Sequence, residues 1–339
     1  DWILDNISVI ASSPTTYTIT GDDTCNSPTT IGLPNSQLGV NYQLYRGGTT
    51  PVGSSVAGTG APISFGSQNT VGVYTVVATA GTTSCTTTMT NSVSINSLPT
   101  APTASAQSFC TGATVASLVA TAPTSGSVVD WYSASSGGTA LATTTVLSSA
   151  TYYAQSRNTT TGCVSSTRTS AVITINSNPT ISTAATTGVV TAVCQSASAQ
   201  TTTMDYTATT FLPTSYSIDW ASLADQGSTA FSFAAGGGTL TGITIPAGAT
   251  SGTYTGTMTV TNANGCIGTK AVTLTINPIL TAGISISASS GTVCAGTNVT
   301  FTATPTNPGT TPVYQWKLNG VNVGDNLPTY SNKALLLNN

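Results

Sequence analysis

The sequence predicts an all-β chain of tandem two-sheet sandwiches, and three observations carry that prediction. Threonine-rich stretches alternate apolar and polar residues with period two, as in Tyr254-Thr255-Gly256-Thr257-Met258-Thr259-Val260-Thr261, the pattern of a strand with one buried face. Turn signals at Gly47-Gly48, Gly137-Gly138, Asn264-Gly265 and Asn319-Gly320 cut the chain into short strands. The cysteines recur in step with those signals: Cys25 and Cys85, Cys110 and Cys163, Cys194 and Cys266, then Cys294.

The elements repeat in a fixed order. After the first cysteine of each unit comes a Thr/Val run, then an aromatic: Tyr42, Trp131, Trp220 and Trp316 in turn. In the three complete copies a Tyr-led alternating run follows (Tyr74, Tyr152 with Tyr153, Tyr254), then the second cysteine and a closing strand. Units of roughly 80 to 100 residues with about seven strands each fit an immunoglobulin-type antiparallel sandwich. The proline-bearing joints Leu98-Pro99-Thr100-Ala101-Pro102, Asn178-Pro179-Thr180 and Asn277-Pro278-Ile279 are too short for flexible linkers. The expected organisation is residues 1–14 as the end of an upstream domain, repeats at 15–98, 99–178 and 179–278, and a partial repeat at 279–339, stacked end to end as an extended rod.

An aromatic that recurs once per domain reads as the plug between two sheets, so Tyr42, Trp131, Trp220 and Trp316 are expected in the cores. Asp130 and Asp219 precede two of them and by alternation should face solvent. Threonine is β-branched and suits an exposed sheet face, so hydroxyls rather than charges make the polar surface.

Composition excludes several functions. Only 4% of residues are charged, there is no His, and all nine acids are Asp. General acid–base chemistry near neutrality draws on His or a tuned Glu, and Ser or Cys nucleophiles need a neighbouring base. No catalytic residue, cofactor site or enzyme activity is therefore expected. Zinc needs clustered His and Cys at short spacing, and Asp22-Asp23 offers too few carboxylates for calcium, so that pair reads as a plain acidic turn. A net charge of −3 with three Arg gives no basic face for nucleic acid. No apolar run approaches membrane-spanning length, and the few charges leave little for salt to screen.

Regularly spaced cysteines in long Thr-rich repeats favour an oxidising, extracellular setting. Two pairing schemes are open. Adjacency suggests Cys25 with Cys85, Cys110 with Cys163 and Cys194 with Cys266. Strand order opposes this, because the first cysteine lies at the turn joining strands one and two, while the second lies at the last hairpin, at the opposite end of a sandwich. Bonded cysteines need Cα atoms within about 7 Å. That argument favours bonds between repeats, Cys25 to Cys163 and Cys110 to Cys266, with Cys85, Cys194 and Cys294 free or bonded to cysteines outside this segment.

Cys110-Thr111-Gly112 and Cys294-Ala295-Gly296, followed by a Trp strand and closed by Gly162-Cys163-Val164-Ser165 or Gly265-Cys266, resemble the Ig-like and PKD-like tandem repeats of large secreted surface proteins of Bacteroidetes. Cys25-Asn26-Ser27 and Cys194-Gln195-Ser196 lack the glycine, and Ser84-Cys85 replaces Gly-Cys. Residues Asp1 to Val9 look like the last strand of a jelly-roll domain. The resemblance implies a cell-surface adhesin, a gliding-associated protein or the stalk of a secreted enzyme, exported by a type IX system. It implies as partners neighbouring repeats, other subunits of a surface filament, and a glycan or surface ligand. A carbohydrate-binding module is the alternative from another class, and would show Trp220, Tyr132 or Tyr45 exposed in a line on one face.

Overall fold

The computed structural model describes residues 13–333; the expected jelly-roll strand at the amino end lies outside these. Contacts gather the described residues into two compact units, divided in sequence between Ser177 and Asn178. The described residues are nearly all-β, and among them the one helical element is the short 3-10 turn Val115–Ser117. Three separate apolar cores form, within residues 19–95, 115–173 and 181–276.

Each core is built on the same four strands. A cysteine strand (Thr24–Cys25, Gln107–Cys110, Gly188–Cys194) runs parallel to a closing strand (Val93–Asn96, Thr169–Asn176, Ile267–Asn277). The closing strand is antiparallel to the Tyr-led strand (Gly72–Ala80, Ala150–Asn158, Gly252–Asn262), and that in turn to the aromatic strand (Val40–Arg46, Ser127–Tyr132, Pro213–Trp220). This order is that of the larger sheet of an immunoglobulin-type sandwich.

Register shows why the aromatics fit. Tyr42 lies opposite Ala78, Trp131 opposite Ala154 and Trp220 opposite Gly256, so a small residue makes room for the ring each time. A Cβ at Gly256 would stand 2.7 Å from Trp220 Cε3. The leading tyrosine of each Tyr-led strand bonds to backbone four residues upstream. Tyr74 Oη donates to the Thr70 carbonyl at 2.6 Å and Tyr254 Oη to the Thr250 carbonyl at 2.8 Å, while Tyr152 Oη accepts from Ser148 N at 3.1 Å. This is the tyrosine corner of immunoglobulin-like folds, where a ring packs in the core and its hydroxyl finds a partner at the rim.

The segments differ in their second layer. Residues 24–96 pair Thr29–Leu33 with Ile63–Gln68. In the second unit, Gln200–Tyr206 pairs with Gly238–Ile245, and both join a seven-stranded sheet. Residues 99–177 depart from the expected seven strands: opposite their four-stranded sheet stand only isolated bridges, Thr103 to Thr121 and Thr114 to Val146. Loop backbone and Val115, Leu147 and Leu118 fill that side instead. Residues 283–332 have a three-stranded sheet (Gly283–Ala288, Val299–Thr306, Thr329–Asn332) and the hairpin Trp316–Leu318 with Val321–Val323. Among the described residues they carry no Tyr-led strand and no closing strand.

Candidate functional site

The residues that recur with the most regular geometry are the cysteines, and backbone pairing positions them. Cys25 stands opposite Asn96, Cys110 opposite Asn176 and Cys194 opposite Asn277, each at the end of its closing strand. The amide that follows each cysteine donates to that asparagine's carbonyl, from Asn26 at 2.9 Å, Thr111 at 2.9 Å and Gln195 at 2.8 Å. The second cysteine opens the closing run. The carbonyls of Cys85, Cys163 and Cys266 accept from the amides of Ala80, Asn158 and Asn262 at 2.9, 2.8 and 3.0 Å.

The hairpins around the second cysteine are organised by asparagine where it is present. Asn158 Oδ1 accepts from the amides of Thr160 and Thr161, and Asn262 Oδ1 from those of Asn264 and Cys266. Gly162 and Gly265 precede their cysteines with φ of +73° and +77°. Ser84 takes the same left-handed conformation at +53°, which favours glycine because it has no Cβ to clash. Ala80 supplies no side-chain oxygen there. The Ser-Cys departure read from the sequence therefore keeps the turn and strains it.

Cys25 is bonded to Cys163, with Cα atoms 5.5 Å apart and a separation of 138 positions in sequence. Cys110 and Cys266 are also disulfide-bonded, whereas Cys85, Cys194 and Cys294 are free. The physical reason lies in the closing run. From Cys85 to Asn96, and from Cys266 to Asn277, the chain crosses the whole sheet, a span of roughly 35 Å at about 3.3 Å per residue. The two cysteines of one segment thus sit at opposite ends of it. Cys163 is fully buried, which shields one sulfur of the bond from reductants.

The four expected core aromatics are buried: Tyr42 is 0% exposed, Trp131 6%, Trp220 3% and Trp316 9%. Burial raises the Tyr42 and Tyr216 phenols above their usual value, only partly offset at Tyr42 by the Gln37 amide and at Tyr216 by the Gln226 side chain. Asp219 is exposed, but Asp130 departs from a freely solvated group. It accepts from Arg157 Nε at 2.5 Å and Nη2 at 3.1 Å, and this contact raises the Arg157 guanidinium still further. Asp23 Oδ1 accepts from Ser94 N at 2.7 Å, tying the start of the cysteine strand to the closing strand. Sequence reasoning missed this tie; its only signal was an acid two residues before Cys25.

Trp220 is inside the third core, and Tyr45 and Tyr132 belong to different sheets. The Arg168 guanidinium covers the Tyr132 ring 3.4 Å from its centroid. Trp220 is therefore not exposed for stacking on a ligand, and the Tyr132 ring is covered by Arg168. Among the described residues no group of three His, Cys, Asp or Glu is placed to hold a metal, and no helix is long and apolar enough to cross a membrane.

Residues 99–177 match the family described as "Ig-like domain CHU_C associated". No curated protein matches the chain. Among solved structures it is similar to the N-terminal four Ig domains of Dscam1 isoform 6.44, at 16% identity over 95% of this chain and 93% of that one, TM-score 0.26. It is also similar to chicken CNTN1 FN1–FN3 domains, at 12% identity over 78% and 99%, TM-score 0.32. A third likeness is to fibronectin(III)-like modules of Clostridium thermocellum CbhA, at 10% identity over 77% and 95%, TM-score 0.21.

Proposed function

We infer that this tandem array of immunoglobulin-like domains has a structural or adhesive role, a reading supported by its strand order, its tyrosine corners and the family match over residues 99–177. We propose that it is a load-resisting stalk of an extracellular surface protein, of the Bacteroidetes type, that holds a binding or catalytic domain away from the cell. Its immediate partners are then the neighbouring repeats, within one chain or along a filament. A single observation carries this reading: the Cys25–Cys163 bond joins the cysteine strand of one sandwich to the hairpin of the next. A bond within a domain would protect that domain alone, whereas this one holds the joint. Cys110 and Cys266 stand at the corresponding positions of their own sandwiches and are disulfide-bonded as well. The disulfides support an oxidising, extracellular setting for it.

Pulling the chain from its ends in a single-molecule force experiment tests this. In oxidising buffer the residues enclosed by Cys25 and Cys163 should contribute no extension. Adding a reductant should release them and lengthen the trace. Equal extension with and without reductant would remove the mechanical role.

A further inference from the structure

We propose that Asn319 is a modification site: its side-chain amide deamidates spontaneously through a cyclic imide, while Asn264 is held back by its fold. Asn319-Gly320 and Asn264-Gly265 are the two Asn-Gly pairs of the sequence. The reaction needs the glycine's main-chain nitrogen to attack the asparagine Cγ. Glycine favours that approach, since no Cβ stands in the way. The new N–Cγ bond forms as the Cγ–Nδ2 bond breaks, and the side-chain nitrogen leaves as ammonia with the proton from the glycine amide. Water then opens the imide at either carbonyl, giving Asp or isoaspartate. Water is the one co-reactant, so the step requires no oxidant and no enzyme.

Hydrogen bonding separates the two turns. The Gly265 amide donates to the Asn262 carbonyl at 3.0 Å, so its nitrogen is committed away from Asn264. The flanking amides of Asn264 and Cys266 donate to Asn262 Oδ1 at 3.1 and 3.0 Å, and Cys266 is disulfide-bonded. That turn also closes a ladder of ten residue pairs between Gly252–Asn262 and Ile267–Asn277. Opening it far enough for attack breaks many bonds at once. At the other turn, neither the Gly320 amide nor the Asn319 side chain has a hydrogen-bond partner among the described residues, and both residues are exposed. Asn319 and Gly320 have φ of +50° and +83°, the left-handed pair of a two-residue hairpin turn. The ladder behind them has three pairs, from Trp316 with Val323 to Leu318 with Val321. So short a ladder opens often, and each opening lets the nitrogen reach Cγ.

The two products differ in consequence. Asp followed by glycine also suits this turn, so the hairpin persists with one more negative charge. Isoaspartate adds a backbone carbon to the two-residue loop. Loop length fixes register, so the pairing of Leu318 with Val321 is lost. The site stands independently of the stalk reading.

The test ages the 339-residue chain in mildly alkaline buffer at physiological temperature and follows both sites by peptide mass spectrometry. Conversion at Asn319 should run at least about tenfold faster than at Asn264, because the short hairpin opens more often. In denaturant the two rates should come within about threefold of each other, since unfolding removes both turns. Equal rates in the native chain, or an Asn319 advantage that persists undiminished in denaturant, would overturn the proposal. An Asn319→Asp variant isolates the difference between the products. It should keep the slow amide exchange of the fresh protein at 316–323, while aged protein enriched in isoaspartate exchanges faster there. If the variant exchanges as fast as the aged protein, the distinction between Asp and isoaspartate is wrong.

Discussion

Trp220 and Trp316 occupy the same point in two successive runs of sequence, and their surroundings diverge. Trp220 is sealed between two layers, opposite Gly256 and within a core that includes Met258, Val260, Leu274 and Ile276 from the Tyr-led and closing strands. Its Nε1 is buried without a protein hydrogen-bond partner, a cost of about 1–3 kcal/mol. Trp316 stacks on Tyr330 with ring centroids 5.8 Å apart, and its Nε1 donates to the Leu327 carbonyl at 3.0 Å. Its polar atom is better satisfied, yet the sheet beside it leaves isoleucines open to solvent. The contrast teaches that filling volume from two more strands outweighs one lost hydrogen bond in closing a sandwich.

Truncating the two tryptophans is the strongest way to break this comparison. Trp220→Ala should destabilise the third sandwich by about 3–5 kcal/mol, the range for large buried aromatics. Trp316→Ala should cost less than about half of that, because fewer atoms lose packing partners. Segment-resolved hydrogen exchange in denaturant separates the two, and equal losses would mean that residues 283–332 hold a closed core. Gly256→Ala sharpens the point, since its new Cβ would meet Trp220 Cε3 at 2.7 Å and the Asp219 carbonyl at 2.8 Å. Overpacking of this kind should cost about 1–3 kcal/mol, read as a lower denaturation midpoint for residues 188–277 alone.

Smaller effects follow at the tyrosines. Tyr254→Phe removes the corner bond to Thr250 and should cost about 1 kcal/mol, visible as faster exchange at the start of the Tyr-led strand. Tyr216 makes the third sandwich sensitive to alkali. Its phenol is raised by burial, so above the usual tyrosine value near 10 the unfolded state loses its proton first. Stability then falls as pH rises from about 10 toward the raised folded value. Tyr216→Phe should flatten that decline in a series of alkaline melts. Salt should do least: between about 0.05 and 1 M the melting temperature should hardly move, because few charges are present to screen.

Much of this was legible in the residues. Period-two threonine runs located the Tyr-led and closing strands, since a half-buried sheet writes its two faces directly into the chain. The four aromatics were readable as core because they recur once per unit among small and β-branched neighbours. The strand order also carried a distance argument for bonds between sandwiches. Other features left weaker traces. The loss of regular second-layer strands in residues 99–177 depends on how loops pack over Val115 and Leu147, which no local period encodes. The Asp130–Arg157 pair joins residues 27 positions apart, and alternation alone placed Asp130 in open solvent.

The sequence by itself determined the strand class, the repeating order of elements and the near absence of ionisable chemistry, because these follow from period, composition and spacing along one dimension. Only the tertiary structure decided that Cys25 meets Cys163 while Cys85 stays free. It also decided that Gly256 rather than a larger residue must face Trp220, and that Ile284 and Ile286 remain uncovered. Those outcomes depend on which strands lie side by side in space and which end of a roughly 35 Å sheet each turn reaches, and neither is a property of any local stretch of residues.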